Sequence, residues 1–204
     1  MDIPERTGET AYRYSQVAEA YIDMFGAPEQ AEDQDRELIA QWAAQIHGPV
    51  LDAGCGPGHW TQFIADAHRC ATGVDLVPEF LEYARANFQK PEFLRADLAH
   101  LPFDDQHFSG VLAWYSVIHA PPAELGPLLN ELARVLKPGG TLLLGFFAGN
   151  QLEAFAHQVA LAWYWPPADL TLLLEQAGLK VLQAGTRTRA EARTHGHLLA
   201  QKRA

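Results

Sequence analysis

The chain has 204 residues, 48% hydrophobic and 20% charged, with a net charge of −10. Length and apolar content suit a single globular domain with a buried sheet. The negative charge makes a nucleic-acid backbone a poor bulk partner, and no apolar run reaches the ~18 residues of a membrane-crossing helix. Met1-Asp2-Ile3-Pro4-Glu5-Arg6 lacks the apolar core of a signal peptide. Cys55 and Cys70 show no metal or redox spacing. These features lead us to expect a cytoplasmic protein without a membrane or nucleic-acid partner. Arg187, Arg189 and Arg193 form a weak basic cluster, read as a solvated face.

Residues 1–9 are polar and expected to be loose. Tyr14, Val17, Ala18, Tyr21, Ile22 and Phe25 then recur at helical spacing and predict one helix from Ala11 to Phe25, ended by Gly26-Ala27-Pro28. A second helix is predicted from Gln30 to Ile46, stopped by His47-Gly48-Pro49.

The next stretch organises the rest. Val50-Leu51-Asp52-Ala53 reads as an apolar strand, Gly54-Cys55-Gly56-Pro57-Gly58 as a turn, and Trp60 to Asp66 as an amphipathic helix. Glycine takes φ > 0 freely and lets a ligand lie against bare backbone, while the helix start offers free N–H groups. Such a loop binds a dinucleotide or the amino-acid end of S-adenosylmethionine. A dinucleotide fingerprint spaces its glycines at one, three and six; here they stand at one, three and five, with His59 at the sixth place. Asp52, two residues before the first glycine, is placed to accept hydrogen bonds from an ammonium group. Cys55, between glycines, reads as a loop filler.

Ala71 to Asp75 is a second strand ending in an acid, 17 residues beyond Gly58. An acid there can grip both hydroxyls of a ribose. A helix from Pro78 to Phe88 follows, then Phe93 to Leu98, a strand carrying Asp97 at the same edge. Gly110 to Trp114 is the fourth strand, continued by Tyr115-Ser116-Val117-Ile118-His119; Pro121-Pro122 opens a helix through Leu136, terminated by Lys137-Pro138-Gly139-Gly140. Thr141 to Phe147 is the most hydrophobic run, as a strand buried on both faces requires. Residues 150–165 read as an amphipathic helical stretch ending in Trp163-Tyr164-Trp165. Ala168 to Ala177 reads as a further helix, and Lys180 to Thr188 and His197 to Gln201 as closing strands. Alternating strands and helices mean a parallel, doubly wound α/β sheet with helices on both faces.

With the glycine loop, Asp75, Asp97 and Arg134-Val135-Leu136-Lys137-Pro138-Gly139-Gly140 in order, the sequence resembles the class I S-adenosylmethionine-dependent methyltransferases, of the small type 11 or UbiE-like branch. The resemblance runs from about Tyr14 to the end. It implies a Rossmann-like, seven-stranded sheet, mostly parallel, with an antiparallel last strand. It implies S-adenosylmethionine as cofactor and S-adenosylhomocysteine as product. Asp52 and Gly54, Cys55, Gly56, Gly58 and Trp60 would hold the methionine part. Asp75 would hold the ribose and Leu76 the adenine, with Asp97 and Leu98 at its amino edge; Trp114, Tyr115 and Ser116 would stand beside the sulfonium. One departure is visible: Ser109-Gly110 follows Phe108 where the family commonly has an acid.

The implied reaction is in-line displacement of the methyl group onto a small-molecule acceptor, in which the protein positions the partners and keeps water out; no metal-ligand motif is present. His119 is the candidate general base, set against a structural role. Tyr14 and Tyr21, seven residues apart, place a lid over residues 10–26 or pack as core; the sequence leaves both open. Trp163, Tyr164 and Trp165 suggest an apolar or planar acceptor. The chain would act as a monomer or homodimer. The alternative reading is a catalytically silent S-adenosylmethionine-binding sensor, which would keep the same motifs.

Overall fold

The computed structural model describes residues 5–67, 70–188 and 193–203; Arg189 of the basic cluster lies outside them. Helices α1 (Glu5–Gln16), α2 (Ala18–Phe25) and α3 (Asp33–Ala44) precede the sheet. Then follow β1 (Val50–Ala53), α4 (His59–Asp66), β2 (Ala71–Asp75), α5 (Pro78–Asn87), β3 (Glu92–Arg95), β4 (Phe108–Trp114) and α6 (Pro122–Val135). The remainder is β5 (Leu136–Ala148), β6 (Glu153–Ala156), β7 (Leu161–Trp165), α7 (Pro167–Gln176), β8 (Leu179–Arg187) and β9 (His195–Lys202). Proline starts α5, α6 and α7, where its missing N–H costs nothing.

Strands β3, β2, β1, β4 and β5 run parallel in that order. Strand β9 lies antiparallel against β5, and β8 against β9. These seven strands are the expected sheet with its antiparallel last strand. Leu142, Leu143 and Leu144 are fully buried and alternate between two cores. Leu142 and Leu144 share a cluster with Leu125, Leu129 and Leu132 of α6 and Leu170 and Leu174 of α7. Leu143 joins Ile39 and Trp42 of α3 and Ile64 of α4. Period-two burial on a parallel strand covered on both faces explains the unbroken apolar run, and truncating any of the three to Ala would cost ~2–5 kcal/mol.

Two expectations are corrected. Among the described residues the sheet has nine strands, because residues 150–165 form the β6–β7 hairpin and not a helix. Phe155, Trp163, Tyr164 and Trp165 favour a pleated surface, and Phe155 stacks on Tyr164 across the hairpin with centroids 4.2 Å apart. The hairpin extends the sheet beyond the end of β4: Tyr164 and Trp165 pair with Phe147 and Ala148 of β5, and Trp163 N–H donates to the Ile118 carbonyl at 3.1 Å. The expected single N-terminal helix is two. It begins at Glu5, supported by the Glu9–Arg13 pair at 2.7 Å, and breaks at β-branched Val17 (φ −119°, ψ 13°).

Candidate active site

The three loop glycines have φ of 77°, 52° and 86°. A Cβ on Gly54 would lie 2.3 Å from Cβ of Ser116, and one on Gly58 would lie 2.7 Å from the Phe93 ring. Packing of the protein on itself therefore demands those two. Gly56 differs: the nearest atom to its Cβ position is a Tyr21 ring carbon 4.0 Å away. Its bare backbone faces space where a ligand can approach. Cys55 is 4% exposed and its sulfur lies against Gly73, whose Cβ would come within 2.9 Å of it. Burial pushes the thiol well above its ordinary pKa, so it fills the loop and is no nucleophile.

The loop is held by Asp75 at the end of β2, which accepts hydrogen bonds from Gly56 N–H (2.8 Å) and Val77 N–H (2.9 Å). Burial raises its pKa while these backbone donors lower it. Asp52 on β1 is 2% exposed and accepts a 2.6 Å hydrogen bond from the Thr61 hydroxyl. Burial, opposed by Thr61, pushes its carboxyl up to about 7. Among the described residues neither carboxylate has a basic side chain in ion-pair reach. Two such groups side by side favour a cationic ligand.

Asp97 accepts the Ala99 N–H at 2.9 Å, and Leu76 and Leu98 are half-buried beside the two acids. Trp114 packs under Gly145, where a Cβ would meet its ring at 2.7 Å. Tyr115 sits at φ 58°, a strained conformation for a bulky residue and one concentrated at functional sites. Its hydroxyl lies 2.5 Å from His195 Nδ1. Ser116 Oγ, against Gly54, is buried with no partner among the described residues. Trp60 is 6% exposed, and its ring lies in the buried cluster with Ile39, Trp42 and Ile64.

Tyr14 and Tyr21 meet edge-on at 5.5 Å, and Tyr21 lies 5.2 Å from Phe80 at the start of α5. Burial, with the charge of Asp75 adding, pushes the Tyr21 hydroxyl up to about 12 and Tyr14 higher. Tyr14 Oη is 2.9 Å from His119 Nε2, and His119 Nδ1 is 2.8 Å from the Leu161 carbonyl. A carbonyl only accepts, so Nδ1 carries the hydrogen and Nε2 accepts the Tyr14 hydroxyl proton. Burial lowers the His119 pKa, with the Leu161 bond opposing. Both ring nitrogens are engaged, and His119 acts as a clasp between α1 and β7.

The expected Trp163-Tyr164-Trp165 wall divides by strand alternation. Tyr164 joins Phe147, Phe155 and Tyr115, while Trp165 (5% exposed) and Trp163 pack against the large core. The sequence reading missed Phe147, Phe155, His157, Arg193 and His195 as site residues. Phe147 and Phe155 stood in predicted elements, but only the hairpin register brings them together.

The family described as "Methyltransferase domain" matches residues 50–140, the span from β1 to Gly140 in the first part of β5. A malonyl-[acyl-carrier protein] O-methyltransferase of Erwinia billingiae (strain Eb661) is 35% identical over 135 residues, covering 66% of this chain and 51% of that protein. Over residues 50–140 the chain thus matches a methyltransferase domain, in line with the resemblance carried by its glycine loop, Asp75 and Asp97. It spans about half the length of the first curated relatives it matches. Among solved structures, the Burkholderia thailandensis 1,6-didemethyltoxoflavin-N1-methyltransferase, with bound 1,6-didemethyltoxoflavin and S-adenosylhomocysteine, superposes with a TM-score of 0.78 at 21% identity, over 100% of this chain and 94% of that one. The [4+2]-cyclase SpnF superposes at 0.81 with 18% identity, over 95% of each chain. Both show the methyltransferase fold; the cyclase shows that fold alone does not fix the reaction.

The residues fit the methyltransferase cofactor. The open Gly56 backbone, the paired buried carboxylates and the orphaned Ser116 hydroxyl form a cradle for a ligand bearing an ammonium, hydroxyls and a sulfonium.

Proposed function

We propose that the protein transfers a methyl group from S-adenosylmethionine to a small-molecule acceptor with an apolar or planar body. The observation that carries this is the cradle around Gly56: Asp75 ties the middle glycine by its N–H, Asp52 is buried one strand away, and among the described residues neither has a basic side chain in ion-pair reach. When bound, S-adenosylmethionine supplies a methyl carbon on a positively charged sulfur. Asp52 accepts from the ammonium, Gly54 to Gly58 present bare backbone, and Asp75 uses its remaining lone pairs for the ribose hydroxyls. Leu76, Leu98 and Asp97 receive the adenine. Trp114, Tyr115 and Ser116 line the place where the methyl group is exposed.

Residues 10–26 act as the lid. Tyr14 and Tyr21 cover the loop, exclude water and offer aromatic faces to a sulfonium; the His119 clasp holds them down. Tyr115, Phe147, Phe155 and Tyr164 support an acceptor that is flat or apolar. His119, with both nitrogens committed, positions the lid, so acceptors that need no strong base suit this site best.

The test is transfer of isotopically labelled methyl from S-adenosylmethionine to a panel of planar small molecules. Labelled product with the wild type, and weaker S-adenosylhomocysteine binding by ~1.5–3 kcal/mol in Asp75→Ala, are expected. Tight S-adenosylhomocysteine binding without transfer to any acceptor would mean a silent binding protein, and unchanged affinity in Asp75→Ala would place the ribose elsewhere.

A further inference from the structure

The acceptor side carries one feature that flat, apolar recognition does not use. The Arg193 guanidinium sits 4.8 Å from the Phe155 ring centroid and 5.9 Å from that of Phe147. Phe155 stacks on Tyr164, so the cation caps a pile of rings. Arg193 is exposed, and among the described residues it pairs with no carboxylate. Arg187, earlier in the same basic cluster, behaves differently: it is neutralised by Asp35, which is 7% exposed. Beside the same rings stands His157, 6.0 Å from Phe147 and 5.2 Å from His119 between ring centroids. Its Nδ1 is buried and has no hydrogen-bond partner among the described residues.

We infer that the methyl acceptor is a carboxylic acid: its planar or apolar body lies against Phe155 and Phe147, and its carboxylate meets Arg193 beside His157 Nδ1. The inference rests on the methyltransferase reading above. Stacking on rings leaves a guanidinium's in-plane N–H donors available, and their fork matches a carboxylate. A chain with a net charge of −10 repels anions in general, so a cation built into the acceptor side provides selective attraction where the rest of the surface does not. Burial, with His119 and Arg193 nearby adding, pushes His157 down to about 4. It is therefore a neutral imidazole that can donate from Nδ1 without adding charge. An apolar acceptor lacking an anion would leave both groups without a role. The carboxylate is the handle by which the acceptor is held; the atom that receives the methyl group is a separate matter.

The experiment compares acids with their amides. Indole-3-acetate against indole-3-acetamide, and 2-naphthoate against 2-naphthamide, are titrated into the full chain by ligand-observed NMR, with and without S-adenosylhomocysteine. The acid of each pair is expected to bind about tenfold tighter than its amide. Arg193→Gln should erase that preference while leaving the S-adenosylhomocysteine-induced thermal shift intact, and Arg193→Lys should keep part of it. Equal binding of acid and amide, binding of neither, or a preference that survives Arg193→Gln would each overturn the inference. Absence of S-adenosylhomocysteine binding is read separately and would overturn the methyltransferase reading instead.

Discussion

On the β1–β2 side of the sheet's carboxyl edge, the ligand-facing surface is backbone and carboxylate; on the β4–β5 side it is aromatic rings. The first is built from residues close in sequence. Gly54, Gly56 and Gly58 follow one strand directly, and Asp75 ends the next. The second is assembled from Tyr115, Phe147, Phe155 and Tyr164, which lie on four different strands or their ends, the last two brought in by the hairpin. A backbone site is specified by φ angles and close approach, which restrict residue type sharply. A ring site is specified by shape and tolerates many sequences, so it can change acceptor without disturbing the cofactor.

The largest effect expected from that contrast is at the glycines. Gly58→Ala forces a Cβ into Phe93 and Ala84 at φ 86° and should cost ~2–4 kcal/mol of stability by denaturant unfolding. Gly56→Ala meets open space, so it should cost only the ~1–2 kcal/mol of left-handed backbone yet reduce S-adenosylhomocysteine affinity more than tenfold. Equal loss of stability in both variants would mean that Gly56, too, serves packing and not a ligand.

A smaller effect sharpens the carboxylate half. Asp52 is pushed up to about 7 by burial, so below that pH its protonated form lacks the charge an ammonium needs. Affinity for S-adenosylhomocysteine should rise by up to about tenfold per pH unit as pH increases toward 7, then level off. Calorimetry across this range, repeated with Asp52→Asn, checks it; a variant as pH-dependent as the wild type would assign the titration to another group.

The smallest concerns the clasp joining the two halves. Tyr14→Phe removes the hydroxyl that His119 Nε2 accepts and should weaken lid closure by about 1 kcal/mol. Amide exchange over residues 5–25 would then quicken roughly fivefold. Because burial lowers the His119 pKa, the closed lid favours the neutral ring. Acid below about 6.5, the ordinary histidine value, therefore favours opening, and neutral pH favours closure. Protection that is identical in the variant, or that grows on acidification, would show that Tyr14 is an ordinary packing residue.

How much was legible in the sequence follows the same division. Strand β2 and the glycine loop were readable to the residue, because short spacing and turn chemistry are local. The β6–β7 hairpin was not: Leu152, Phe155, Val159, Ala162 and Trp163 satisfy a helical period as well as a strand. Cross-strand stacking of Phe155 on Tyr164, which no local pattern encodes, accompanies the strand outcome. Trp60 reads as the first residue of the helix after the glycines and, by resemblance, as a cofactor contact; its ring packs in the core with Ile39 and Trp42. His119 stood at the right edge for a base. The partners that occupy its two nitrogens come from Tyr14 and Leu161, 105 and 42 residues away.

The most direct test of the central claim, that the Gly56 cradle is built for S-adenosylmethionine, is a calorimetric titration of the wild-type chain with S-adenosylhomocysteine and, separately, with NAD. The structure predicts saturable binding of S-adenosylhomocysteine and no heat with NAD, since the glycine spacing and the two unpaired carboxylates suit an ammonium and disfavour a pyrophosphate. Saturable NAD binding with no response to S-adenosylhomocysteine would contradict it.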